Sequence, residues 1–377
     1  VPMLPQKLSN GICSLVEGEE RLVKSVLFRF GKGEKLLRCE LAECVIKSDK
    51  RLTYEQAGLL MREGDLKAIR AAKPPKSRYS GNPGEPLAAL PDVKLHKLQT
   101  TIRRLWTIAS KLRENRMKAG ALNLESAEVK ILVDNQGSIE SISQVESDES
   151  HQLIEEFMLL ANETVAKELR KRKLPGIHRV HPDPDPEKLD EMRHFASLFG
   201  ISCGELSSRK EVAKLLKAIR KHPISQVLRI KFLRSLKQAC YRASPDGHYG
   251  LSKNDYLHFT SPIRRYADLA VHRIVSDILR GEKRRSPGLD KLEGIAKYIS
   301  TTERNSVDAE RESVKTKLIA YYDREIRENK LKKHKAVITD VARKGFFVEL
   351  KETHAQGFVP LRTLPRHEGY RIAPNGI

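Results

Sequence analysis

The chain has 377 residues, 39% hydrophobic and 32% charged, so it is long enough for about two domains with buried cores and unlike a disordered or fibrous polymer. No apolar run approaches the roughly 20 residues that span a bilayer, which excludes a helical transmembrane protein. Lys plus Arg number 70 against 49 Asp plus Glu, a surplus of +21 spread along the chain, which favours a polyanionic partner, nucleic acid before an anionic membrane surface.

The opening stretch VPMLPQKLSNGICSL has no basic n-region followed by an apolar h-region, so it is no secretory signal. It reads as the middle of a domain, and a longer parent polypeptide is expected. From Arg21 to Ile46 two partly alternating apolar runs flank Gly31-Lys32-Gly33, which predicts a β-hairpin. Residues 52–71 carry a helical pattern that Gly64 interrupts, and the Pro- and Gly-dense stretch at 73–91 is expected to be an exposed loop. Leu95, Leu98, Ile102, Leu105 and Leu112 recur at helical spacing among Arg and Lys, predicting one amphipathic helix over 93–118. Two strands about an Asn-Gln-Gly turn are expected over 129–144.

Helices are predicted over 153–172, 188–199, 208–221 and 224–242, then again from Thr260 and over 289–331. The last 43 residues alternate apolar and polar over short spans broken by Gly345 and Gly357, as in a small β-barrel, with a domain boundary near His334. Five cysteines (Cys13, Cys39, Cys44, Cys203 and Cys240) are an odd number, which indicates free thiols and a reducing compartment. Cys39 and Cys44 have no CxxC or CxxH partner pair, so a zinc site is not expected there.

The most distinctive segment is YLHFTSPIRRYADLAVHR at 256–273. Thr260-Ser261-Pro262 fits a helix start, since a hydroxyl caps free N–H groups and Pro is tolerated in the first turn. Arg264 and Arg265 then fall where partial positive charge already gathers, an unfavourable place for cations unless an anion sits there. Two readings stay open: the pair binds a phosphate through its guanidinium forks, or it reaches solvent or a neighbouring carboxylate.

The segment HFTSPIRRYADLAVHR resembles the C-terminal signature of the ribonuclease II family, the RNB catalytic domain, and within it the ribonuclease R branch. RLTYEQ at 51–56, LIEEFMLLANETVA at 153–166 and AERES at 309–313 are also similar to the family, and the last strands resemble the start of its RNA-binding OB domain. The resemblance implies an α+β fold: an RNB domain over 1–333, with a mixed sheet, many helices and a truncated N-terminal side, followed by a partial OB barrel over 334–377. An OB barrel needs five strands, and little strand pattern follows Leu364.

For function it implies a processive, hydrolytic exoribonuclease that shortens RNA from its 3′ end and releases nucleoside 5′-monophosphates. The expected partner is single-stranded RNA, with no membrane, and the expected protein is a cytoplasmic monomer. Matched position by position, Arg264 is the arginine that contacts the scissile phosphate, with His258, Thr260, Ser261 and Arg265 as RNA contacts around it. Tyr54 lies against the terminal nucleotides, Glu155 accepts from a ribose 2′-OH and Glu310 lies near the sugar edge.

Without the resemblance, Tyr54 reads as a half-buried tyrosine on an amphipathic helix, Glu155 as an exposed helix carboxylate and Glu310 as an i,i+4 salt-bridge partner. The family's magnesium is held by an aspartate-rich motif expected upstream of Val1, so no metal ligand is assigned here. The acidic run HPDPDPEK at 181–188, with Asp183 and Asp185, is read as a Pro-spaced turn. Leu124 stands where several relatives place a base-stacking Phe; the alternative for the chain as it stands is a catalytically incomplete RNA-binding fragment.

Overall fold

The computed structural model describes residues 2–71, 84–124, 128–145, 147–282, 288–330 and 332–364. Strands β1 (Glu20–Phe30) and β2 (Leu36–Lys47) form the expected antiparallel hairpin, its connection passing through Gly33 at φ 66°, a conformation suited to glycine. The 52–71 pattern resolves into α1 (Tyr54–Arg62) and α2 (Leu66–Ala71), separated at Gly64 as predicted. Helix α1 begins in a capping box: Thr53 accepts from the Gln56 backbone N–H at 3.2 Å, and Gln56 Oε1 accepts from the Thr53 N–H at 2.9 Å. Part of the predicted loop at 73–91 lies outside the described residues.

Helix α3 (Asp92–Lys118), strands β3 (Glu128–Val133) and β4 (Ile139–Val145), and helix α4 (Glu149–Lys171) follow the expected order. Next come β5 (His178–Val180), α5 (Pro186–Leu198), α6 (Arg209–Lys221) and α7 (Ser225–Ser235). The basic helix expected over 224–242 therefore stops at Ser235. Residues Cys240–Arg242 form β6, which pairs antiparallel with β5. Helices α8 (Tyr266–Arg280) and α9 (Leu289–Arg327) precede β7 (Ala336–Ala342), β8 (Gly345–Leu350) and β9 (Gln356–Pro360).

The fold is α+β, its strands forming small antiparallel pairs plus the three-stranded order β7-β8-β9. Among the described residues the last three strands are not closed into a barrel, and residues 365–377 lie outside the described set. Among the described residues no helix is long and apolar enough to cross a membrane.

The chain divides into two compact units. Unit one comprises Val1–Ala121, Ser147–Pro182 and Ala239–Ser300; unit two comprises Leu122–Glu146, Asp183–Gln238 and Thr301–Ile377. In unit one, Val165, Ala166 and Leu169 of α4 pack with Leu257, Phe259 and the α8 residues Val271, Ile274 and Val275, and Val26 and Leu41 of the hairpin close this core. Each fully buried aliphatic side chain contributes about 1.5–3 kcal/mol. This seam therefore fixes the ends of the segment that joins Phe259 to α8. In unit two, α7 packs against α5 and α6, with Phe232, Leu228, Leu215 and Ile219 fully buried.

Candidate functional site around Arg264

The predicted helix start at Thr260-Ser261-Pro262 is corrected by the structure. The Ser261 backbone N–H donates to Asp268 Oδ1 at 2.7 Å, and the N–H groups of Arg264 and Arg265 turn back to the Ser261 carbonyl at 3.3 and 3.1 Å. Pro262 thus occupies the second position of a tight turn, where its fixed φ fits, and the helix waits until Tyr266. Arg265 is the N-cap, extended at φ −127°. The two cations precede the helix, and the acid in its first turn is Asp268, which suits the helix dipole.

Asp268 also separates the roles of the two arginines. Its carboxylate is fully buried and accepts from Arg265 Nη2 at 2.8 Å, so Arg265 is committed to a carboxylate. Arg264 is exposed, and its guanidinium has no hydrogen-bond or carboxylate partner among the described residues. Beside it the Thr260 hydroxyl is buried without a hydrogen-bond partner. The His258 ring, bonded through Nδ1 to the Tyr241 hydroxyl at 2.9 Å, is held neutral. Burial first, then the charges of Arg265, Arg179, His248 and Arg264, push its pKa down to about 2. The charges of Arg179, Arg264 and Arg265 thus bear on this ring, and the nearby acid Asp268 is already used by Arg265.

Asn162 of α4 sets the approach to this loop. Buried to 2% exposure, it accepts from the Phe259 N–H at 2.9 Å and donates to the Tyr256 hydroxyl at 3.1 Å. His151, Glu155 and Asn162 stand at i, i+4 and i+11 of α4, within about 40° of one helical face and about 16 Å end to end. Tyr54, the first residue of α1, is 45% exposed and stacks on His151 with ring centroids 3.8 Å apart. Glu155 pairs with Arg116 Nη2 at 3.2 Å. Its neighbour Glu156 is the buried one, accepting from Arg116 Nε at 3.0 and 3.2 Å. Tyr54, Glu155 and the Arg264 loop thus share unit one, and α4 touches the surroundings of all three.

The RNB domain model matches residues 1–281. The chain belongs to the RNB domain family. Ribonuclease R of Thermotoga maritima is 35% identical to it over 379 residues, covering 98% of this chain and 49% of that protein. Ribonuclease R of Vibrio cholerae is 34% identical over 390 residues, with 100% and 44% covered. Among solved structures, Mycoplasma genitalium RNase R in complex with ribose methylated single-stranded RNA matches with a TM-score of 0.79 and 26% identity, over 97% of this chain and 54% of that one. The chain spans about half the length of the curated relatives it matches.

The other expected residues of this RNB chain belong to unit two. Glu310 is exposed on α9. Its helical neighbours Ser306, Val307, Ser313 and Val314 carry no charge, so the i,i+4 salt-bridge reading has no partner for it. Leu124 lines a cavity of about 60 Å³ with Asn123, Ser225, Arg229 and Phe232. Asp185 is the N-cap of α5 and accepts from the Glu187 N–H at 3.2 Å. Among the described residues no three His, Cys, Asp or Glu side chains gather where a metal ion could be held. The magnesium implied by the family resemblance therefore does not fit a seat among them. All five cysteines are free.

Sequence reasoning missed Asn162, Asp268, Arg116 and His151. Asp268 had a legible signal, an acid three residues after an arginine at a helix start; the others become visible only once α1, α3 and α4 are packed.

Proposed function

We propose that this chain holds the 3′ end of single-stranded RNA for a processive, hydrolytic exoribonuclease of the ribonuclease R type that releases nucleoside 5′-monophosphates. One observation carries the reading: Arg264 is an exposed guanidinium without an anionic partner, beside an Arg265 already committed to Asp268. A phosphodiester is the anion that a guanidinium fork at a backbone turn suits, and a fixed cation there stabilises charge that develops on the phosphoryl oxygens. Membership of the RNB domain family and relatives named ribonuclease R support the exonuclease assignment. A similar solved structure holding single-stranded RNA supports the strand.

In this reading Thr260, Ser261, His258 and Arg265 line the phosphate's seat, and Tyr54 lies against the terminal nucleotides. Glu155 reads the 2′-OH and Glu310 the sugar edge of a neighbouring nucleotide. Residues 1–333 form the catalytic domain and 334–377 begin an OB-like RNA-binding domain. Metal dependence belongs to the family reading, with magnesium the proposed ion, while the described residues supply the cationic and stacking groups. Free cysteines support a reducing, cytoplasmic setting, and the reading takes the protein as a monomer.

The test is decay of a 5′-labelled RNA with a single-stranded 3′ tail, with and without magnesium. Stepwise shortening from the 3′ end that drops by about 10²–10³ in Arg264→Ala, with affinity nearly kept, supports the exonuclease. An unchanged rate in Arg264→Ala would remove that residue from the mechanism. A second reading, an RNA-binding chain without hydrolysis of its own, is favoured by the dispersal of acids among the described residues. RNA bound and left intact at every magnesium concentration would decide for it.

A further inference from the structure

Asp148 caps α4, and its carboxylate is saturated: Oδ1 accepts from the Ser150 N–H at 3.0 Å, the Ser150 hydroxyl at 2.5 Å and His151 Nδ1 at 2.8 Å. Burial pushes its pKa up, but the hydrogen bonds from Ser150 and His151 outweigh this and hold it at about 2. The carboxylate is thus an obligatory acceptor, and His151 must carry its proton on Nδ1. That bond fixes the imidazole plane, and the plane lies 18° from that of Tyr54 at a centroid distance of 3.8 Å. A further tie runs from the other end of α1: Arg62 reaches Asp148 Oδ2 at 3.1 Å and Glu149 at 3.5 Å. The first residue of α1 and the first turn of α4 are therefore locked to each other by a chain from carboxylate to imidazole to phenol ring.

We infer that His151 is a positioning residue for Tyr54, fixing its ring so that the exposed surface meets the terminal nucleotides of the RNA in one orientation. The inference rests on the proposed role of Tyr54. A surface tyrosine on a short helix samples several rotamers, and a stacking platform loses contact with a base when its plane wanders. His151 covers part of the ring while Tyr54 keeps 45% of its surface exposed, which is the geometry of a supported platform. Asp148 acts one step further back, by holding His151.

The experiment uses RNA carrying 2-aminopurine as its 3′-terminal base, with an internally placed probe as the reference, and follows quenching on titration with the protein. Tyr54→Ala should abolish the terminal signal. His151→Ala and His151→Gln should raise the half-saturation concentration of that signal roughly fivefold or more, the low end of what one base–aromatic stack contributes. His151→Phe, which restores a ring without the bond to Asp148, should recover most of it. A purely structural histidine would move internal and terminal probes together, so loss confined to the terminal probe is the signature. Wild-type behaviour of His151→Gln while Tyr54→Ala loses the signal would overturn the positioning role alone. Retention of the signal in Tyr54→Ala would instead overturn the reading of Tyr54, and with it the support for His151.

Discussion

Arg265 Nη2 donates to the buried Asp268 at 2.8 Å, and the same carboxylate oxygen accepts from the Ser261 backbone N–H at 2.7 Å. One acid therefore shapes the turn and neutralises one of two adjacent arginines. Of the two readings of the arginine pair, the carboxylate one holds for Arg265, while Arg264 has no such partner among the described residues. Asp268→Ala removes a buried charge's partner and a turn-closing acceptor, and it should cost about 3–5 kcal/mol of stability in a denaturant titration. A loss below about 1 kcal/mol would mean that solvent screens the pair.

Burial first, and the neighbouring cations second, hold His248 at about 3 and His258 at about 2. These folded values lie below the ordinary imidazole value of about 6.5, so between the two the unfolded chain binds more protons. The stability they contribute is complete above about pH 6.5 and is lost as the pH falls towards the folded values. Thermal melts should show a Tm that falls from pH 7 to pH 5, reflecting a loss of about 1–2 kcal/mol of stability per ring at the lower end. A Tm independent of pH over that range would show that the rings are solvated.

Glu155 and Glu156 share Arg116 but differ in burial, with side-chain exposures of 41% and 3%. Glu155→Ala should leave stability nearly unchanged and bring RNA and DNA affinities closer together, since only RNA offers a 2′-OH. Glu156→Ala leaves the buried Arg116 with only the half-exposed Glu155 and should cost about 1.5–3 kcal/mol in a melt. An unchanged RNA-to-DNA affinity ratio in Glu155→Ala would return that residue to an ordinary surface ion pair.

A strand held through phosphates releases counterions, so the logarithm of RNA affinity should fall linearly with the logarithm of salt concentration. Removing Arg264 should reduce the slope by about one phosphate's worth, a slope change of roughly 0.7 for a single strand. Affinity that ignores salt would contradict an electrostatic seat.

Periodicity carried much of the fold. The hairpin about Gly33, the break at Gly64 and the long helix α3 each follow from local pattern and turn chemistry, which sequence exposes. The strand pair β5-β6 escaped because three residues are too few for an alternating pattern. The predicted 224–242 helix overran β6 because Ala239, Cys240 and Tyr241 keep the apolar spacing. The helix start at Thr260 failed for a tertiary reason: a carboxylate seven residues downstream captures the Ser261 N–H and substitutes a turn for the first helical residues. The candidate site was legible where it rests on the local string around Arg264, through its family resemblance. It was not legible where it rests on packing, as with His151 under Tyr54 and Asn162 under Phe259.

The most direct test of the central claim is photo-crosslinking from an RNA whose last phosphodiester carries an azidophenacyl phosphorothioate, followed by peptide mapping. The account predicts label on the peptide spanning Thr260 to Tyr266, competed by unlabelled single-stranded RNA and weakened in Arg264→Ala. Label confined to other peptides, or undiminished in Arg264→Ala, would contradict the assignment of the RNA 3′ end to this loop.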